Sequence, residues 1–166
     1  MSHWLDDAIA RTAGPLHRFL TELRSMLDHV RPAELDEQSS EAKVEPGRVE
    51  LRLAHAREES WSIWVDAGED SIVVGAAEMH EHFEPWRDDE ERSWTTQAVD
   101  MIAELLRGQI EIHTTYRGGS VARVRHYLVD EDGGRREFGL TAFSAQLAFW
   151  RPKRTEVERV SFGAQR

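Results

Sequence analysis

Along the first thirty residues the apolar positions fall at helical spacing. Trp4, Leu5, Ala8 and Ile9 mark a short lead-in helix; after Gly14 and Pro15 the period resumes through Leu16, Phe19, Leu20, Leu23, Met26, Leu27 and Val30. Proline has no N–H to lose in a first helical turn, so the main helix is predicted from about residue 15 to residue 30. A stripe this wide suits the protein's own sheet better than a coiled-coil partner. Residues 31–47, RPAELDEQSSEAKVEPG, carry no apolar period and are expected to form an acidic flexible linker.

Beyond the linker, Val49, Leu51, Leu53 and His55 alternate with Arg48, Glu50 and Arg52, as in a half-buried strand. Residues 60–66 and 71–76 read as two further strands joined by the turn-prone AGED of residues 67–70, which gives a three-stranded meander. Ser93 is a candidate N-cap for a helix that carries Trp94, Ala98, Val99, Met101, Ile102, Leu105 and Leu106 and stops at Gly108. Residues 109–117 and 121–130 flank a Gly-Gly hairpin signal. A two-residue loop at Gly118 and Gly119 would set Ile112 opposite Arg125 and mix core with surface. A three-residue loop, 118–120, pairs Ile110 with Leu128, Ile112 with His126, Thr114 with Val124 and Tyr116 with Ala122, and leaves Glu111, His113 and Thr115 facing Tyr127, Arg125 and Arg123 on a polar face. The second register is the expected one, with His126 on the core face. Leu140, Phe143, Leu147 and Trp150 fit a short C-terminal helix, and residues 155–162 a last strand. The prediction is a single α+β domain over residues 1–166. In it an antiparallel sheet, made of the meander, the hairpin and the last strand, is packed by an N-terminal, a central and a short C-terminal helix.

Composition narrows the chemistry. In 166 residues, 31 acidic side chains against 21 basic ones leave a formal charge of −10. That balance disfavours nucleic acid and anionic membranes as partners. With no cysteine there is no thiol nucleophile, disulfide or Cys-ligated metal, and a reducing, cytoplasmic location is expected. The first residues do not read as a secretory signal, and no apolar run is long enough to span a bilayer. Phosphate-cradling glycine motifs and the Gly-x-Ser-x-Gly elbow are absent. No catalytic residue and no resident cofactor is therefore predicted, and the chain reads as more non-enzyme than enzyme.

Three features remain. In AAEMHEHFEPW an extended backbone would send Glu78, His80, His82 and Glu84 to one side, and His113 could add a third imidazole for zinc or another divalent metal. Nothing forces a third donor into place, so the expectation is that this geometry fails and that no stoichiometric zinc is held. Arg117, Arg123 and Arg125, with His113, form a basic strip suited to an acidic peptide or a phosphate. Among six tryptophans, Trp61 and Trp64 lie three apart on one predicted strand and so face opposite ways, and Trp86 follows Pro85 before a charged run. An exposed Trp on a sheet is an interface candidate.

The order helix, three strands, helix, two strands, helix over residues 1–150 resembles that of the small acidic type III secretion chaperones and the bacterial regulators that share their fold. The last strand, residues 155–162, departs from it. The resemblance implies a dimer that holds a partner polypeptide along exposed sheet and helix surfaces, without chemistry. The function expected from the sequence is therefore a non-enzymatic partner-binding protein of the chaperone, immunity or regulatory kind, possessing the capacity to form a homodimer. The alternative is a metal-binding protein or metal-dependent hydrolase built on His80 and His82.

Overall fold

The N-terminal periodicity becomes two helices, α1 (His3–Ala10) and α2 (Gly14–Val30), in a computed structural model that describes residues 3–30, 32–76, 79–87, 93–130, 132–142 and 150–163. Gly14 takes φ 58° where the two helices meet, a left-handed conformation that costs glycine nothing. Leu16, Phe19, Leu20, Leu23, Leu27 and Val30 of α2 are buried, and α2 packs on α3 (Trp94–Arg107). The stripe is thus covered within the protomer, which removes it as an argument for a second copy. The expected cap holds α3, with the Thr96 N–H donating to Ser93 Oγ at 3.3 Å.

Residues 35–45, inside the expected linker, are instead a strand. β1 (Leu35–Glu45) runs antiparallel to β2 (Arg48–His55). Its alternation was hidden because the inward residues, Ala42 and Val44 opposite Leu51 and Val49, are small or single, while Glu41, Lys43 and Glu45 point outward. An edge strand is held by its backbone ladder and needs few apolar side chains. The register shifts between Asp36 and Glu41. Ser40 bridges that bulge: its hydroxyl donates to the Asp36 carbonyl at 2.7 Å and accepts the Ala54 N–H at 2.9 Å. The meander continues through β3 (Ile63–Gly68), β4 (Ile72–Ala76) and β5 (Met79–Phe83), so the sheet has five strands in chain order rather than three. The third strand starts at Ile63, because residues 59–61 form a 3-10 turn. Val49, Leu51, Leu53, Ile63, Val65, Ala67, Ile72, Val74 and Ala76 are all buried on one face of this sheet.

The chain falls into two units, Met1–Arg107 with Phe162–Arg166, and Gly108–Ser161. The second has its own antiparallel sheet of β6 (Gln109–Arg117), β7 (Ser120–Val129), β8 (Arg135–Ala142) and β9 (Lys153–Ser161), in the order β8-β7-β6-β9. The α+β class with antiparallel pairing holds, but the strands are shared between two sheets. The hairpin combines features of both registers weighed above. Ile110, Ile112 and Thr114 face Leu128, His126 and Val124 as expected, whereas Tyr116 faces Val121 and not Ala122. A two-residue turn closes the hairpin, with Gly118 at φ 56° and Gly119 at φ 86°. A bulge between Thr115 and Tyr116 then shifts the register by one and keeps core apart from surface. His126 is buried, with only 1% of its surface exposed. Residues 140–142 belong to β8 rather than to a helix, since they continue its ladder to Arg125, Val124 and Arg123 in turn; residues 143–149 of the expected helix lie outside the described residues, and Trp150 stands in a turn, 71% exposed.

Candidate functional site

On the five-stranded sheet, pairing lines up Glu41, Arg52, Trp64, Gly75 and His80 across all five strands on the face opposite the buried one. Trp64 is 37% exposed at the centre of that row. Its indole lies over Gly75, close enough that a Cβ on Gly75 would sit 2.1 Å from Cε2. Any larger residue at position 75 would displace the ring from this seat. The neighbouring charges are paired among themselves: Arg48 grips Asp66 with two 2.7 Å hydrogen bonds, Arg52 reaches Glu41 at 3.1 Å, and Lys43 meets Glu45 at 2.7 Å. A surface depression of about 410 Å3, bordered by Trp64, Arg48, Glu50, Arg52 and Asp66, opens beside the indole.

Trp61 and Trp64 do not share a strand. Trp61 sits in the 3-10 turn with its ring against His55, centroids 5.1 Å apart, and is a half-buried anchor. Trp86 stands in a second 3-10 turn, Pro85–Arg87, and is 75% exposed.

His80 and His82 meet the first condition set for a metal site: β5 is extended and both rings lie on its outer side, 5.1 Å apart. His80 also packs at 5.9 Å from the Trp64 ring. Glu84 follows the end of the strand, and Glu78 lies outside the described residues. His113 is on β6 in the other unit, bonded to Glu111. Among the described residues no group of three His, Cys, Asp or Glu is placed to hold a metal ion.

The residues of the predicted basic strip, Arg117, Arg123, Arg125 and His113, lie on the four-stranded sheet together with further cations from β8 and β9. His113 faces Arg125, and Thr115 faces Arg123, on the outer side of the four-stranded sheet. Arg117 stands at the hairpin end opposite Lys153. Arg125 donates from Nη1 to the Tyr127 hydroxyl at 3.2 Å and lies 3.8 Å from Glu137, while Tyr127 packs edge-on against His113. The organising residue is one that sequence reasoning missed. Glu111 is buried in the middle of this face and accepts from His113 Nε2 at 3.0 Å, from Arg135 Nη2 at 3.3 Å and from Arg159 Nε at 3.1 Å, with Arg135 Nε 3.0 Å from its second oxygen. The hydrogen bond from His113, joined by those from Arg135 and Arg159, outweighs the cost of burial and pulls the carboxyl down to about 2. Arg159 arrives from β9 directly opposite Glu111, and Arg135 comes from β8, two strands away. The one local signal was a glutamate set between Ile110 and Ile112 in a strand; its partners lie 24 and 48 residues off.

Comparison with known proteins returned nothing: no family model, no curated protein and no solved structure matches this chain. What the fold defines is an α+β protein of two antiparallel sheets, each with one face that is polar and partly exposed. Among the described residues no helix is long and apolar enough to cross a membrane.

Proposed function

We propose that this is a non-enzymatic, cytoplasmic partner-binding protein that engages another polypeptide through the outer face of its five-stranded sheet. The observation that carries the reading is Trp64, exposed at the centre of that face and fixed over Gly75. Tryptophan and arginine dominate the energetics of protein contacts, and an indole already held in place loses little entropy on docking. The surrounding charges are mutually paired, so they form a polar rim that need not be desolvated alone. The partner is a different protein or a second copy of the chain; the order helix, three strands, helix that suggested a secretion chaperone gives way to five strands between α2 and α3.

The test places a photo-crosslinking residue at Val73, next to Trp64 on the outer face, in wild type and in Trp64→Ala. A defined crosslinked species in native cells, reduced about tenfold or more by Trp64→Ala, supports the reading; tenfold corresponds to ~1.4 kcal/mol, below a typical hot spot. Crosslinking that is indifferent to Trp64 overturns it. Light scattering then separates a second copy from a different protein.

A further inference from the structure

On the four-stranded sheet Arg117, Arg123, Arg125, Arg135, Lys153 and Arg159 share one face with two carboxylates among the described residues, Glu111 and Glu137. The chain as a whole carries −10, so this face runs against the protein's own balance. One carboxylate is spent inside the face: Glu111 is buried and fixes Arg135 and Arg159. It holds Arg159 through Nε at 3.1 Å, and the Arg159 side chain is 61% exposed. A buried acid that holds an arginine in place turns a flexible side chain into a prepositioned fork, the geometry that binds carboxylates bidentately.

We infer that this arginine face is a docking surface for an acidic polypeptide segment, with Arg159 as a fork positioned by Glu111, Arg135 clamped to the same carboxylate beside it, and Arg123 and Arg125 extending the track. Charge complementarity selects an anionic occupant, and the local field of the face prevails because charges farther than ~8 Å are screened at physiological salt. Tyr127, beside Arg125, packs edge-on against His113 and accepts from Arg125 at its hydroxyl, and nucleic acid, the other anionic polymer, is separated by the experiment. Val157 lies on this face opposite His113 and is 48% exposed, a seat for an aliphatic side chain between acidic ones. The inference rests on the partner-binding reading but uses a different surface, so each can fail alone.

The experiment is a fluorescence-anisotropy titration of the full chain with a fluorescein-labelled oligoglutamate peptide, at low and at physiological salt. The expected result is saturable binding that weakens with salt and falls about tenfold in Arg159→Ala and in Arg123→Glu, roughly the worth of one charge-assisted fork. Arg154→Glu, the same charge reversal at an exposed position on the opposite face of the same sheet, leaves it within twofold or so. Glu111→Gln weakens binding although it removes a negative charge, because the fork loses its anchor. Several outcomes overturn the inference: no saturable binding, equal losses in Arg154→Glu and Arg123→Glu, tighter binding in a folded Glu111→Gln, or a single-stranded oligonucleotide of equal charge that binds as tightly as the peptide. Oligoglutamate that fails to bind while the Trp64-dependent crosslink persists removes this surface and leaves the first reading intact.

Discussion

Replacing Glu111 by Gln is the most informative single change, because it keeps the side chain's shape while removing the charge that three donors converge on. The drop of its carboxyl from the ordinary 4.5 to about 2 would be worth about 3 kcal/mol at ~1.36 kcal/mol per pH unit. Its arginine partners are more than half exposed, at 55% and 61%, and water screens them, so about 2 kcal/mol is the expected loss at neutral pH. For a chain of this length that lowers Tm by roughly 4–8 °C. The sign with pH follows from linkage. A carboxyl whose folded value is depressed stabilises the fold fully above its unfolded value, and the contribution fades as pH falls from about 4.5 toward 2. Urea unfolding of wild type and Glu111→Gln in parallel should therefore show a constant gap from pH 7 to about 5 that narrows in more acid buffer. A gap below about 0.5 kcal/mol at neutral pH, or one of unchanged size at pH 3, would refute the argument that the charge organises this face.

Gly75→Ala puts a Cβ where the Trp64 ring now lies. Because the ring is the exposed end of a side chain it swings aside, at a cost of about 1 kcal/mol, and the near-UV circular dichroism of Trp64 is lost; an unchanged spectrum would show that the indole is not seated on Gly75. Gly119→Ala meets no neighbour within 4 Å but must keep φ near 86°, so it should destabilise by about 1 kcal/mol through backbone strain alone, read by thermal melting. Untagged protein should carry less than stoichiometric zinc, and chelator should leave its Tm unchanged. Stoichiometric zinc lost in a His80→Ala, His82→Ala double variant would make residues 79–84 a metal centre.

Much of the fold is written locally. The stripe of α2, the cap and stripe of α3, and the alternation of β2 and β4 follow from periods of 3.6 and 2, since each residue's burial there is set by neighbours a few positions away. The pairing of β6 with β7 was legible for the same reason, from Ile110 to Thr115. The tip was not, because a two-residue turn and a separated pair of faces conflict unless a bulge reconciles them. Strand β1 was invisible because a polar edge strand is specified by the open ladder of β2 rather than by its own side chains.

The candidate sites divide in the same way. The sequence alone marked Trp64, His80, His82 and the arginines of the hairpin as residues to explain, and it determined that His80 and His82 share a side if the segment is extended. Only tertiary structure decided that Trp61 is an anchor against His55 while Trp64 is exposed above Gly75. Only pairing between distant strands brought Arg135 and Arg159 to Glu111. A period reports which way a side chain points, but not what the chain returns to set beside it. The charge that matters on this protein, a buried carboxylate ringed by cations within an acidic chain, depends wholly on that return.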